Sequence, residues 1–416
     1  MPGLVELFRN QGRLISAAEG FMVAQIAATS GAYMKKVNWL HLRAHDSCNL
    51  SCSYCVMSAR RGRPGADAMT AEQAVEILRL LLANSSAPRI TVEISGGEPL
   101  LCGSRWIAAI CGGLRVMETQ YAKKLDLWIT TNGTLLNEEI IAVLRECKAR
   151  LSVGVDAPAG VSGGVKTLDG RVRRGIELLQ KLYTTPGINA VATLPAMRHV
   201  TRFMNELKQM NIRLFRLTAV NSRGRAQAAP GLLPTSKESF ACTMRLIRYM
   251  ERCDFSIVEA SALDRVYRYM GDVYEPNFCN APTCPAGSGF LAVDAKGDVY
   301  PCGNETRDRF IMGNIYDGFD GPRSRRVLAA YHGELAPFVR CVYCKAGRIC
   351  HYGCPGCLHE GDTRHFDAEC QFTQLLFERF ERDRAAIEEI YRRAKRKAPS
   401  SARKHIPGAQ GERKVS

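Results

Sequence analysis

Between residues 37 and 220 the sequence alternates six times between a short β-like run and an amphipathic helical run, and this limits the fold more than any other feature. Strand candidates lie at 37–42, 90–94, 125–130, 151–155, 188–194 and 212–220. Helical runs at 70–82, 106–117, 137–147, 171–182 and 200–210 separate them, the first opening on a Thr70-to-Gln73 capping box. Such alternation predicts parallel βα units with helices on the outside. Right-handed crossovers allow an open doubly wound sheet or a partial barrel, and periodicity leaves both open. A helix over 237–252 follows. After Pro276 cysteines become dense and strands short, and a helix over 372–393 closes the ordered part. The expected organisation is an N-terminal helical segment 1–35, a catalytic domain 36–253, a linker 254–278, a cysteine-rich domain with its terminal helix over 279–391, and a basic disordered tail 392–416.

The first strand candidate runs into Cys48, Cys52 and Cys55, a C-x3-C-x2-C trio. Structural zinc sites and ordinary electron-transfer clusters take four protein ligands, so a compact trio predicts a metal centre with one position left for another molecule. The competing reading is a zinc knuckle with a distant fourth ligand. At the end of the second strand candidate stand Gly96, Gly97, Glu98 and Pro99, where glycines admit close backbone approach and proline fixes the exit.

With Tyr54 just ahead of the third cysteine, and Gly-Gly-Glu-Pro at the next strand end, this region resembles the cluster loop of the radical S-adenosylmethionine (SAM) enzymes. The resemblance implies a (β/α)6 partial TIM barrel with the chemistry at the C-terminal strand ends, as in parallel βα folds generally. It implies that Cys48, Cys52 and Cys55 hold a 4Fe-4S cluster whose open iron binds SAM. Gly96 to Pro99 would meet the SAM amino group, Tyr54 the adenine, and Thr131 and Asn132 the methionyl or ribose part. Relatives often read Ser-x-Asp-Gly at the fourth strand, where this chain has Gly154-Val155-Asp156-Ala157. The missing serine shifts carboxylate binding toward Lys166 or Arg171.

The C-terminal thiols Cys284, Cys302, Cys341, Cys344, Cys350, Cys354 and Cys370 are spaced as in the SPASM extension of the same family, which houses two auxiliary iron–sulfur clusters. By that resemblance Cys341, Cys344, Cys350 and Cys370 hold the outer cluster, and Cys284, Cys302 and Cys354 contribute to the inner one. Some relatives carry a further cysteine where this chain has Phe290; Cys279 or Cys357 would replace it, or the site is open to substrate. The competing reading of this module is a pair of zinc sites. Cys102, Cys111, Cys147, Cys242 and Cys253 stand singly in or beside helical segments and are expected as ordinary core or surface residues.

Seventeen cysteines in close clusters, without an export signal, predict a reducing cytoplasm rather than a disulfide scaffold. No uninterrupted apolar run of membrane-spanning length is present, so no membrane partner is expected. Of the net charge of +16, half comes from residues 392–416, with nine Lys or Arg against one Glu. Such a run suits an acidic partner, such as a flavodoxin- or ferredoxin-type electron donor or an acidic leader peptide. No stacking or groove-reading module accompanies the charge, which argues against nucleic acid.

The expected activity is radical SAM oxidation, by cross-linking or dehydrogenation, of a peptide or protein, a ribosomally made precursor peptide foremost. Epimerisation, oxidation of a small molecule such as an aminosugar or porphyrin side chain, and a non-catalytic zinc protein that binds nucleic acid are the alternatives. Relatives that mature sulfatases carry an aspartate base after the cysteine equivalent to Cys302; here that residue is Gly303, which leaves Glu305 and Asp308 as candidate bases. The 35 residues before the barrel are too few for the leader-binding domain of many peptide-modifying relatives, so either a separate leader-binding protein or the C-terminal module is expected to recognise a leader.

Overall fold

The computed structural model describes residues 36–274, 279, 284–317, 321–333, 341, 344–350, 354–357 and 364–399. The expected N-terminal helix 1–35 lies outside these residues. Six parallel strands, β1 (Trp39–Arg43), β2 (Arg89–Ser95), β3 (Lys124–Thr131), β4 (Arg150–Gly154), β5 (Gly187–Ala192) and β6 (Leu214–Ala219), stand side by side in chain order. A doubly wound sheet reverses its order at a switch point, and this one does not. Since β1 and β6 do not pair, the barrel is open, which is the expected (β/α)6 partial form.

Helices α1 (Ala71–Asn84), α2 (Gly103–Tyr121), α3 (Glu138–Glu146), α4 (Gly170–Leu182) and α5 (Val200–Gln209) follow the first five strands. The capping box forms as expected: Thr70 accepts from the Gln73 amide, and the Gln73 side chain accepts from the Thr70 amide. The helices bury their apolar stripes on Leu40, Leu42, Val92, Ile94, Ile129 and Val153, which all point outward from the strands. Each such side chain contributes about 1.5–3 kcal/mol. The alternate residues face inward and are polar: Trp39 Nε1 and Thr130 Oγ1 both donate to Glu93, at 2.9 and 2.8 Å. The barrel therefore encloses a polar lumen. One helical stretch, Pro99–Tyr121, is long and apolar enough by composition to cross a bilayer. Here α2 lies on α1 and α3, burying Ile107, Ile110 and Leu114.

Four features differ from expectation. Within 254–278, read as a linker, β7 (Val258–Glu259) adds a seventh parallel strand beside β6. It is flanked by α6 (Ser236–Arg252) and α7 (Ala260–Tyr269), whose N-terminus is capped by the buried Glu259 carboxylate. The cysteine-rich region also joins the barrel sheet: β8 (Phe290–Val293) pairs in parallel with β1, and β9 (Asp298–Tyr300) and β10 (Gly313–Asn314) extend it antiparallel to ten strands. After α8 (Gly321–Gly333), the terminal helix is two, α9 (Arg364–Arg382) and α10 (Arg384–Lys397), broken at Asp383. Part of the basic tail is thus ordered, with Arg393, Lys395 and Lys397 paired to Glu251, Asp272 and Asp254. Finally, Cys111 on α2 and Cys147 after α3, expected as separate thiols, form a disulfide.

Candidate active site and metal centres

The cysteine trio leaves β1 at its C-terminal end and folds back on the Gly-Gly-Glu turn that follows β2. The Gly97 amide donates to the His45 carbonyl at 2.8 Å and the Glu98 amide to the Ser47 carbonyl at 2.9 Å. A Cβ on Gly97 would sit 1.8 Å from the Ser47 oxygen, and one on Gly96, at φ +122°, 2.4 Å from the His45 oxygen. The space a side chain would need at these two glycines is filled by the cysteine loop. Glu98 is fully buried and ties β2 to β3, accepting from Leu100 N, Thr131 Oγ1 and Asn132 N. Burial raises its carboxyl above the usual range despite these donors. Asn132 donates to Asn49 at 2.8 Å and reaches the Cys48 sulfur at 3.9 Å. Thr131 and Asn132 thus lie beside the trio, as expected. Pro99 opens the short turn of helix that leads away from the site.

A second network lies opposite. The buried Asp156 accepts from the Tyr54 hydroxyl, the Lys166 amide and the Val191 amide, and its carboxylate is 3.7 Å from Lys166 Nζ. Burial, reinforced by Asp156, holds the Tyr54 hydroxyl well above its ordinary value, so it remains a donor. Gly154 makes room for the lysine: a Cβ there would be 2.5 Å from Lys166 Nζ. Burial pulls that ammonium down, but Asp156 and the thiols Cys52, Cys55 and Cys48 outweigh it and raise it overall. Arg171 is not brought to the site; its exposed side chain pairs with Asp169 at 3.6 Å.

The loop is clamped from β6 as well, by residues the sequence did not single out. Arg225 donates to the Cys52 and Ala59 carbonyls, each at 2.8 Å, and Gly224, at φ +62°, admits the Cys55 carbonyl. A glycine–arginine pair just past a strand end was the available signal. Burial pushes the Cys52 thiol to about 11 and raises Cys48, so both titrate as thiols until a metal displaces their protons. Three soft donors beside a cation suit an iron–sulfur cluster carrying a carboxylate ligand.

The C-terminal thiols form two groups. Cys341, Cys344, Cys350 and Cys370 line one cavity with Phe366 and Thr373, the set expected for the outer cluster. Cys284, Cys302, Cys354, Cys357 and Cys279 influence one another electrostatically, with Cys284 and Cys302 packed beside the buried Tyr331. Cys354 is drawn down, first by the Cys357 thiol and then, against the upward push of burial, by Gly356 and Arg223. Glu305 is not suited to act as a base. Its carboxylate is fully buried and held by Arg223 at 3.0 Å and Arg307 at 2.7 Å; burial pushes it up, but the two arginines lower it overall. Asp308 is exposed at the start of a short helical turn.

Residues 44–206 of this arrangement match the Radical SAM superfamily profile, and a SPASM-type cysteine-rich extension follows them. That superfamily uses a 4Fe-4S cluster with SAM. Among curated relatives, the cysteine-type anaerobic sulfatase-maturating enzyme of Clostridium perfringens (strain 13 / Type A) is 23% identical over 364 residues, covering 80% of this chain and 94% of that one. The mycofactocin maturase MftC of Mycobacterium ulcerans is 23% identical, covering 74% and 80%. In structure, the chain is similar to anSMEcpe with bound AdoMet and Cp18Cys peptide, with a TM-score of 0.66 at 21% identity over 85% of this chain and 99% of that one. SuiB of Streptococcus suis bound to precursor peptide SuiA follows at 0.51 and 18%, covering 77% and 72%.

Proposed function

We propose that this radical SAM enzyme oxidises a peptide or protein, foremost a ribosomally made precursor peptide, by cross-linking or dehydrogenation. The observation that supports this is the pairing of β8 with β1, which joins the cysteine-rich region directly to the strand that leads into the cysteine trio. A substrate in the lumen would have a hydrogen acceptor at one end and an electron acceptor at the other. The peptides bound to anSMEcpe and SuiB favour a peptide over a small molecule.

In this reading Cys48, Cys52 and Cys55 hold the SAM cluster, and Lys166 Nζ meets the SAM carboxylate. The backbone of Gly96 to Pro99 and of Tyr54, together with Thr131 and Asn132, surrounds the rest of SAM. Cys357, adjoining Cys354, completes the inner set in preference to Cys279. When bound and reduced, the cluster and SAM supply a carbon radical able to take hydrogen from an unactivated carbon. The chain's part is to exclude water, orient the substrate carbon and take up the released proton. The electron comes from a flavodoxin- or ferredoxin-type donor, and a separate protein presents the leader.

The test is anaerobic reconstitution followed by reduction with SAM and candidate peptides, read by mass spectrometry. Loss of two hydrogens is expected. Unchanged mass with solvent deuterium means epimerisation and refutes oxidation, and oxidation confined to aminosugars or porphyrins refutes the peptide. Zinc in place of iron and sulfide, without SAM cleavage, refutes the enzyme altogether.

A further inference from the structure

Oxidation by two hydrogens removes a hydrogen atom, an electron and a proton. The carbon radical that the reduced cluster and SAM supply would take the first and an oxidised iron–sulfur cluster would accept the second, so the proton must leave through the protein. Glu305 is saturated by arginines and Asp308 faces solvent. Glu93 already accepts from Trp39 and Thr130, and His45 Nδ1 accepts from the Ser47 amide at 3.1 Å.

His41 differs. It points inward from the middle of β1, paired in register with Glu93 of β2 on one side and Ala292 of β8 on the other. Its Nε2 bonds the hydroxyl of Ser95, the residue before Gly96, and its ring meets Phe290 edge-on at 5.9 Å. Its Nδ1 is shielded from water and has no hydrogen-bond partner among the described residues. The other face lies on the residue after Cys302: a Cβ on Gly303 would be 1.8 Å from Nδ1 and 2.4 Å from Cε1. The imidazole thus spans the gap between the SAM turn and an inner-cluster cysteine, and glycine at 303 is what lets it stand there. Of its charged neighbours, Glu93 favours the imidazolium and Arg43 opposes it; burial outweighs both and keeps the ring neutral.

We propose that His41 Nδ1 is the proton acceptor of the reaction. With Nε2–H donated to Ser95, Nδ1 is a bare lone pair. As the substrate carbon loses its hydrogen atom, the adjoining O–H, S–H or N–H bond releases its proton to Nδ1. Its bonding pair becomes the second bond of a carbon–heteroatom double bond, with the odd electron passing to the oxidised cluster. This rests on the oxidative reading above.

The first measurement is histidine nitrogen NMR on the isotope-labelled, reconstituted full chain, with the His41 signal identified by its loss in His41→Gln. An unprotonated Nδ1 at neutral pH is expected; a protonated Nδ1 overturns the proposal. The second uses synthetic peptides bearing serine or cysteine and reads oxidised peptide per deoxyadenosine formed. His41→Gln keeps its iron content and its SAM cleavage within about twofold, while the ratio falls on the order of 100-fold, the scale of general-base catalysis. His41→Ala combined with Gly303→Asp, which sends a carboxylate into the same space, regains at least about tenfold over His41→Ala alone. An unchanged ratio in His41→Gln overturns the proposal. Should the wild type oxidise no peptide at all, the peptide reading falls, and the state of Nδ1 still decides this one.

Discussion

Replacing Gly97 by alanine tests whether the cysteine loop and the Gly-Gly-Glu turn form one unit. The added Cβ would lie 1.8 Å from a backbone oxygen, where real contacts stay above 3.0 Å, so one loop must withdraw by at least about 1.2 Å. A carbonyl cannot swing aside as a side-chain tip can. The withdrawal breaks the Gly97–His45 and Glu98–Ser47 hydrogen bonds. Each buried group left unpaired costs about 1–3 kcal/mol, so the loss is about 2–6 kcal/mol. Gly112→Ala is the control: this exposed helical glycine has nothing within 4 Å of its added Cβ, and alanine there gains up to about 1 kcal/mol. Anaerobic denaturation should rank Gly112→Ala above wild type and Gly97→Ala well below it. Iron and SAM binding should fall only in Gly97→Ala. A Gly97→Ala protein as stable as wild type, with full iron and SAM binding, would refute the reasoning.

Lys166→Met should weaken SAM binding by tenfold or more, because it removes the ammonium beside the trio and leaves Asp156 without its cation, whereas Arg171→Gln should change it less than about twofold; equilibrium dialysis of the reconstituted proteins against SAM distinguishes them. Glu305 titrates below its ordinary value of 4.5, so its stabilising effect is complete above pH 4.5 and is lost as pH falls through the lower, folded value. The stability gap between wild type and Glu305→Gln should therefore close on acidification below pH 4.5, and a widening gap in denaturant titrations would contradict this. Cys350→Ser and Cys302→Ser should each lose one cluster's worth of iron while retaining the SAM cluster, as read by iron analysis and by SAM-dependent changes in the cluster spectrum.

What could be seen in the sequence was set by short-range spacing. The trio, the Gly-Gly-Glu-Pro turn, the capping box at Thr70 and the run Cys341, Cys344 and Cys350 each depend on residues a few positions apart, and alternation gave the six barrel strands. What escaped depends on partners far apart in the chain. Asp156 joins Tyr54 and Lys166 from two different loops and Val191 from β5. Glu305 resembled a base because its proximity to Cys302 was visible and its clamp by Arg223 was not. The short β7 and β8 carry little pattern of their own; each is a strand because a barrel edge offers it hydrogen bonds. The helix break at Asp383 interrupts no apolar period strongly enough to be read, since Phe380 and Ile387 on either side are both buried.

The pairing of β1 with β8 also sets a clock on assembly. On the ribosome the first strand and its cysteines emerge early, but the strand's second neighbour begins at Phe290. At about 5–20 residues per second the intervening chain takes roughly 10–50 s to make. For that time the strand feeding the oxygen-sensitive thiols has one unpaired edge, open to other chains. A protein ending at residue 274 would keep that edge permanently and should aggregate, however complete its SAM site. The C-terminal module is in this sense the barrel's last stave as well as the carrier of its second group of clustered thiols.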